Sequence, residues 1–364
     1  MPRIGYIGEN GIARMVKNSY FGVDGIARTV LKAYVGIGGT ARLCYVNGVG
    51  YFGKITPLSV ARSGLGATTV GGYALFAGGR TSGSESVVVE AYDESLTHSL
   101  PTPLSVARSI PAATTVGGYA LFGGGLLSGM NTYYDVVDAY DESLTHSLPT
   151  PLSVARSGLG ATTVGGYALF AGGKTSGSES VVVEAYDESL TRSLPTPLSV
   201  ARSGLVATTV GGYALFAGGG GGGNRLDSVD AYDESLTRSL PTPLSVARSG
   251  MGATTVEGYA LFAGGTTTGT NGSDVVDAYD ESLTRSLPTP LSVGRQEPAA
   301  TTVGGYALFA GGSARNVVDA YDKSLTHSQP TPMSRGTSSQ GATTIGDYAL
   351  FAGGVYADVE VYLV

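Results

Sequence analysis

"ARSGLGATTVGGYALFAGG", residues 61–79, decides the fold, because the chain repeats this stretch in nearly the same letters seven times. The repeated YALF begins at Tyr73, Tyr119, Tyr167, Tyr213, Tyr259, Tyr306 and Tyr348, at spacings of 46, 48, 46, 46, 47 and 42 residues. A period of roughly 40–50 residues indicates a propeller with one blade per repeat. Within each repeat, the β-prone runs GATTV and YALFA flank Gly-Gly, which predicts a tight hairpin.

The rest of each repeat supplies two further strands. VVVEAYDES predicts a third strand, LTHSLP a fourth, and TPLSVAR leads into the next repeat. We therefore expect seven four-stranded blades, with the small Ala-Thr-Thr strands at the crowded axis and YALF packed between blades. The last repeat stops at its third strand, DVEVYLV, so residues 51–56 are predicted to donate its missing outer strand.

Composition limits the class of protein. The 364 residues are 42% hydrophobic and 14% charged, with 57 glycines, which is typical of a turn-rich all-β chain. A net charge of -7 argues against nucleic-acid or anionic-membrane partners. A single cysteine, Cys44, excludes an internal disulfide framework and a Cys-based zinc site. The start MPRIGYIGENG lacks the apolar core of a signal peptide, so we expect no ordinary secretory export.

The repeat resembles the kelch repeat. A strand ending in Gly-Gly, a Tyr-Asp after a variable loop, and a Pro-apolar-x-x-x-Arg segment before the next strand recur across residues 51–364. The resemblance implies a propeller used for binding more often than for catalysis.

One departure from the kelch pattern concerns a tryptophan. Kelch repeats usually carry Trp six residues after the Tyr, and this chain has none. The position holds His98, His146, Arg192, Arg238, Arg285 and His327. We expect the packing between blades to fall instead to Leu100, Leu148, Leu194, Leu240 and Leu287.

Residues 1–50 form a separate unit with a 14-residue period. Three copies begin at Tyr6, Tyr20 and Tyr34, and each has a turn dipeptide between apolar runs, which predicts three small hairpins. A segment this short has little core, so we expect it to depend on neighbouring structure or on a homo-oligomer. It resembles short repeats of phage tail and adhesin-like proteins from gut Firmicutes. The alternative is an appendage that covers the rim of the propeller.

Catalysis finds little support in the sequence. The histidines lie in different repeats, and equivalent positions of a seven-fold ring lie far apart, so they cannot share one metal ion. The repeated acids of Tyr-Asp-Glu-Ser, such as Asp93 and Glu94, are typical of turn capping. The glycine run 218–223 lacks a following Lys and helix, which favours a flexible loop over a phosphate site. We expect no enzyme activity, cofactor or metal.

An arginine recurs just before the innermost strand of six blades. The positions are Arg62, Arg108, Arg156, Arg202, Arg248 and Arg295, with Arg335 as an irregular seventh. One interpretation is a ring of guanidinium groups around the channel mouth that binds anionic ligands. The other interpretation is that each arginine packs against the backbone, because structurally equivalent blades need the same internal contacts.

The loops after Gly-Gly vary in length and chemistry while the flanking strands stay constant. Loops on a rigid scaffold are where recognition concentrates. The candidate binding residues in the longest loops are Asn131, Tyr133, Tyr134, Asn224, Arg225 and Asn271. Drift in unconstrained loops is the alternative explanation.

These observations predict a non-catalytic recognition protein. The specific hypothesis is a phage or prophage tail-associated protein, made in the bacterial cytoplasm without a signal peptide and extracellular as part of a virion. Its loops would bind a host cell-surface glycan or protein, and residues 1–50 would contact other tail proteins. The alternative is an intracellular kelch-type scaffold for protein–protein interactions.

Overall fold

The computed structural model of the chain is all-β. It describes residues 48–267 and 272–364 in full, and the backbone of six strands between residues 5 and 46. Among these described residues the one helical element is a 3-10 turn at Ser128–Met130, and no helix is long and apolar enough to cross a membrane. The six N-terminal strands pair as the 14-residue period predicts: Gly5–Glu9 with Ile12–Val16, Tyr20–Val23 with Ile26–Thr29, and Lys32–Ile37 with Thr40–Val46.

Seven four-stranded antiparallel blades form the propeller. The innermost strands are Gly66–Val70, Ala112–Val116, Gly160–Val164, Val206–Val210, Gly252–Val256, Ala299–Val303 and Gly341–Ile345. The second strands are Tyr73–Ala77, Tyr119–Gly123, Tyr167–Ala171, Tyr213–Ala217, Tyr259–Ala263, Tyr306–Ala310 and Tyr348–Ala352. The third strands are Val89–Asp93, Val137–Asp141, Val183–Tyr186, Val229–Tyr232, Val276–Asp280, Val318–Asp322 and Val359–Leu363. The outer strands are His98–Ser99, His146–Ser147, Arg192–Ser193, Arg238–Ser239, Arg285–Ser286, His327–Ser328 and Gly50–Lys54. Blades 1 to 7 are numbered in the order of their innermost strands along the chain.

Blade 7 closes the ring from both ends of the propeller repeats, as the sequence predicts. Its outer strand is Gly50–Lys54, which pairs antiparallel with Val359–Leu363 through a register shift between Val361 and Tyr362. The Tyr51 ring lies 5.3 Å from the Tyr362 ring, and its hydroxyl donates to Glu360. The added strand covers the edge of the buried strand Val359–Leu363, which would otherwise be open to pairing with another chain.

The strand directions give the propeller two unlike faces. The turn face carries the hairpin turns between the first and second strands, together with the Tyr-Asp turns between the third and outer strands. In blade 1, Asp93 Oδ1 accepts the backbone N–H groups of Ser95 at 2.9 Å and Thr97 at 2.8 Å, which confirms the predicted turn capping. Hydrogen bonds from the Ser95 side chain and the Thr97 N–H hold the pKa of Asp93 below its ordinary value. The opposite end, the loop face, carries the variable loops.

Threonines line the axis, where the small residues of the first strands were expected. Thr115 Oγ1 donates to the Thr69 carbonyl at 3.1 Å and lies 2.9 Å from Thr68 Oγ1 of the neighbouring blade. Because its proton is already used, Thr115 accepts from Thr68. Similar pairs join other blades, as between Thr208 and Thr255 at 2.8 Å. The resulting neutral channel holds a cavity of about 350 Å³ lined by threonine and alanine.

The hydrophobic core is divided into clusters that lie between neighbouring blades. In one of them Leu75 and Leu104 pack against Phe122 and Tyr140 of the next blade. The Tyr140 hydroxyl also donates to the Thr102 carbonyl at 2.9 Å, and copies of this bond recur around the ring. The tyrosine of each third strand therefore joins its blade to the segment that follows the preceding blade.

The expectation for the outer-strand leucines is wrong. Leu100, Leu148, Leu194, Leu240 and Leu287 are 58–60% exposed. They follow a two-residue outer strand, at the free edge of each blade, where no neighbouring sheet covers them. The packing between blades instead includes the leucines four residues later, Leu104, Leu152, Leu198, Leu244 and Leu291, which are 2–3% exposed.

Candidate functional site

The six recurring arginines lie inside the blades. Each is at most 1% exposed and forms an ion pair with a buried carboxylate on the third strand of its own blade. The pairs are Arg62–Glu90 at 3.0 Å, Arg108–Asp138 at 2.6 Å, Arg202–Asp230 at 2.7 Å and Arg295–Asp319 at 2.6 Å, with Arg156–Glu184 and Arg248–Asp277 in the same contact.

These contacts correct the interpretation of a ligand-binding ring. The Arg156 guanidinium also donates to the carbonyls of Gly172 at 2.6 Å and Val182 at 2.8 Å, so it is engaged on several sides. Burial lowers the pKa of Arg156, and the neighbouring Glu184 opposes that shift. A buried charge is tolerated when it is paired and hydrogen-bonded in this way. The second interpretation is therefore correct: each of the six arginines packs inside its blade. None of their guanidinium groups is available to a ligand at the channel mouth.

In five of the six pairs the carboxylate has a second cationic neighbour at the position where kelch repeats carry Trp, and in the sixth pair Arg192 donates instead to the Pro151 carbonyl. His146 Nε2 lies 2.6 Å from Asp138 Oδ1, and its ring packs against the Tyr140 ring at a tilt of 38°, with the ring centres 5.1 Å apart. Burial alone would raise the pKa of Asp138, but Arg108, the Ser105 N–H and His146 together hold it below its ordinary value. His98 and His327 make the equivalent contacts. These histidines therefore belong to the buried polar networks of blades 1, 2 and 6.

No group of three or more His, Cys, Asp or Glu side chains that could hold a metal ion occurs in residues 48–267 and 272–364.

The variable loops share one face with the loops that precede the innermost strands. Within a blade the two loops pair through the backbone, as in Ser63 with Arg80 and Ser109 with Leu126. This pairing fixes the variable loops to the scaffold at their base. Their exposed ends therefore form the surface that differs from blade to blade.

The longest of these loops is an ordered hairpin on blade 2, residues 126–133. Leu126–Leu127 pairs with Thr132–Tyr133 around the 3-10 turn. Asn131 closes the turn in the left-handed region, with φ +50°, which asparagine tolerates better than most residues. The predicted residues Asn131, Tyr133 and Tyr134 thus lie together, with Asn131 exposed and both tyrosines half-buried.

A carboxylate from blade 1 holds this blade-2 hairpin in place. Glu85 Oε1 accepts the Ser128 N–H at 2.9 Å, at the start of the 3-10 turn. Burial by itself would raise the pKa of Glu85, but the bonds from Ser128 and the charge of Arg80 lower it. The hairpin is therefore anchored by two blades.

The glycine run does not form the flexible loop that we expected. It forms a hairpin on blade 4, in which Gly220–Gly221 pairs with Asn224–Arg225. Gly222 and Gly223 make the turn with φ +57° and +83°, which glycine adopts without strain. Asn224 and Arg225 are exposed on this blade-4 hairpin, separated by blade 3 from the blade-2 residues. Asn271 lies outside the described residues.

Sequence reasoning missed Ile110, which precedes the innermost strand of blade 2. It has φ +53°, and the same position has positive φ in every blade. Glycine fills that position at Gly64, Gly158, Gly204 and Gly250, and Glu297 and Ser339 fill it in blades 6 and 7. An alignment of the repeats would have shown it, because ARSG of blade 1 corresponds to ARSI of blade 2, where an isoleucine replaces the glycine.

The fold is found in other proteins. The solved "Structure of YjhT" is similar to this chain with a TM-score of 0.62 and 13% sequence identity, covering 76% of this chain and 99% of that one. At this identity the likeness supports the propeller fold alone. No protein-family model and no curated protein matches the chain.

Proposed function

We propose that this chain is a non-catalytic recognition protein whose loop face binds a partner on the surface of a host cell. The observation that carries the proposal is the contrast between the blades and the loops. The blade interiors repeat the same buried Arg–carboxylate pair, whereas the loop face carries different exposed side chains on blades 2 and 4. A propeller fold agrees with a binding or scaffold role in general.

The proposal extends to a phage or prophage tail, with the kelch-like propeller as its binding end. Support comes from the short Tyr-initiated repeats of residues 1–50 and their resemblance to phage tail and adhesin-like repeats. Such a module would attach the chain to a particle or oligomerise it. Many copies on one particle would convert weak binding at each propeller into strong attachment.

A cell-binding assay tests the recognition role. Fluorescent full-length chain is mixed with a panel of intact Firmicutes cells and measured by flow cytometry. We expect saturable binding to at least one strain that excess unlabelled chain abolishes. Absence of binding across the panel would overturn the role in host attachment.

Paired variants locate the binding face. Replacing the exposed Asn224 and Arg225 by Ala changes the loop face, and replacing Glu94 and Glu142 by Ala changes the turn face. We expect weaker cell binding from the first variant and wild-type binding from the second. The reverse pattern would place recognition on the turn face and contradict the proposal.

A further inference from the structure

Blade 7 lacks the buried arginine that the other six blades share. Thr337 occupies the arginine position, because its N–H bonds to a carbonyl of the preceding blade at 3.0 Å, as the Arg295 N–H does in blade 6. Arg335, the irregular seventh arginine of the sequence, lies two residues earlier and is exposed. A short neutral side chain therefore fills the buried position in blade 7.

The carboxylate that would pair with this arginine is still present. Glu360 lies on the third strand of blade 7, at the position of Glu90 in blade 1, and is 4% exposed. The hydroxyls of Tyr51 and Ser334 donate to it, and so does the Ser334 N–H at 3.2 Å. Burial and the bond to Glu360 raise the pKa of Tyr51, which keeps this hydroxyl protonated. All of these donors are neutral, so the charge of Glu360 has no counter-charge among them.

The two basic side chains near Glu360 are bound to another carboxylate. Lys54 Nζ lies 2.9 Å from Asp358 Oδ2, and Arg335 Nε lies 3.9 Å from the same oxygen. The Arg335 guanidinium also lies over the Tyr356 ring, 4.9 Å from its centre. Within residues 48–267 and 272–364, no Lys, Arg or His forms an ion pair with Glu360. Glu360 thus differs from its six counterparts, each of which pairs with a buried arginine.

A cavity lies beside Glu360 where the other blades hold a guanidinium. Its buried lining includes Thr337, Phe351 and Gly353, and the exposed Arg335 borders it. The cavity has a volume of about 10 Å³. Such a volume holds about one water molecule or an ion of similar size.

The complete blades show which atoms surround that position. In blade 3, Arg156 Nη1 lies 2.6 Å from the Gly172 carbonyl oxygen and 2.8 Å from the Val182 carbonyl oxygen, and blade 5 repeats both contacts. The corresponding residues of blade 7 are Gly353 and Asp358, which share the same backbone hydrogen bond, at 3.1 Å. A group in the cavity of blade 7 therefore meets the oxygen acceptors that bind a positive charge in the other blades.

We propose that this cavity binds a monovalent cation of about the size of a water molecule, such as K⁺ or NH₄⁺, in place of the missing guanidinium. Glu360 supplies the negative charge, and main-chain carbonyls supply neutral oxygens, which are the ligands that hard cations prefer. A divalent ion fits less well, because its second charge would be uncompensated beside Lys54 and Arg335. The ion would stabilise the blade that closes the ring, and this inference does not depend on the recognition role.

Thermal unfolding in different chloride salts tests the inference. The full-length chain is melted at a constant ionic strength of about 150 mM in KCl, in NH₄Cl and in choline chloride, whose cation is too large for the cavity. For a dissociation constant on the order of 10 mM, we expect a melting temperature about 3 °C higher in KCl or NH₄Cl than in choline chloride. The increase should saturate as KCl replaces choline chloride.

Two variants assign the effect to the cavity. Thr337→Arg supplies a guanidinium from the chain itself, and Glu360→Gln removes the negative charge while keeping the shape of the side chain. Each should have the same melting temperature in KCl and in choline chloride. Glu94→Gln is the matched control, because it removes an exposed carboxylate from the turn face of blade 1, and it should keep the full response. If Thr337→Arg does not fold, Glu360→Gln still decides the question.

Equal melting temperatures of the wild type in all three salts, or the same response in Glu360→Gln as in the wild type, would overturn the inference. A larger stabilisation by about 1 mM calcium chloride, reversed by a chelator, would also overturn it, because it would identify a divalent site. Anomalous scattering from crystals soaked in thallium(I), which substitutes for K⁺, locates the ion directly. We expect a peak beside Glu360, and the absence of a peak there would contradict the proposal.

Discussion

The interior of blade 3 and the loop face of blade 2 follow opposite rules. In the interior, Arg156 and Glu184 are fully buried, and five other blades repeat the pair. On the loop face, Met130 and Ile110 are exposed and occur at one blade each. Residues that recur from repeat to repeat therefore indicate packing that the blades share. Exposed residues that differ from the other repeats indicate where the molecule can bind a partner.

The largest effect is expected from opening the ring. Deletion of residues 1–56 removes the strand Gly50–Lys54, and with it the pairing to Val359–Leu363. It also removes Tyr51, whose ring packs on Tyr362. We expect a loss of about 5 kcal/mol or more in the free energy of unfolding, because Tyr51, Phe52 and Ile55 all leave apolar clusters and burial of each large side chain contributes about 1.5–3 kcal/mol. Urea denaturation measures it.

Deletion of residues 1–47 is the control for that experiment. It keeps the closing strand and should leave the propeller folded with cooperative unfolding. If both deletions gave equal stability, closure by the N-terminal strand would not contribute to stability.

The next effect concerns the buried ion pair. Arg156→Met leaves Glu184 charged and unpaired inside the blade, so we expect a loss of about 3–5 kcal/mol. The double variant Arg156→Met with Glu184→Leu removes both charges and should recover much of the loss. Thermal and urea unfolding of both variants measure the difference. A single variant as stable as the wild type would show that the pair does not contribute to packing.

A smaller loss of stability is expected when the pH is lowered. Asp138 and Asp319 have pKa values held below the ordinary value: burial would raise them, but the paired arginines, backbone N–H groups and histidines outweigh it. Their contribution is present above the unfolded pKa of about 3.9 and is lost as pH falls through the lower folded pKa.

The melting temperature should therefore fall steeply below about pH 4. The variant Asp135→Asn, exposed on blade 2, serves as the control and should follow the wild-type curve. A melting temperature that stayed constant down to pH 2.5 would contradict the buried pairing.

The smallest effect is expected at Ile110. Replacing it by Gly relieves a left-handed conformation that costs about 1–2 kcal/mol, while glycine adds about 0.5–1 kcal/mol of unfolded-state entropy. We therefore expect Ile110→Gly to be as stable as the wild type or up to about 1.5 kcal/mol more stable, by urea denaturation. Clear destabilisation would mean that Ile110 packs as a core residue.

The sequence predicts the scaffold well because the scaffold is periodic. Seven copies of YALF and a chain that stops at its third strand suffice for the number of blades and their closure. The repeat pattern does not indicate the direction in which a loop side chain points. For that reason the sequence alone allows Arg156 to lie either at the channel mouth or in the interior of the blade.

Burial beyond a short strand is equally hard to predict. Leu100 and Leu104 lie four residues apart in one segment, yet the first is exposed and the second buried. The edge of the blade ends between them, and no pattern in the sequence marks it. Glu85 was missed for a related reason: its partner Ser128 lies in the next blade.

A loop exchange within the molecule tests the central claim most directly. Residues 126–135 of blade 2 are replaced by the corresponding blade-3 segment, residues 174–181, and melting temperature and cell binding are measured on the same sample. We predict a melting temperature within about 2 °C of the wild type, a shift that corresponds to about 1 kcal/mol for a propeller of this size, together with loss of binding. Unchanged binding, or a propeller that no longer folds, would contradict the separation of scaffold and recognition surface.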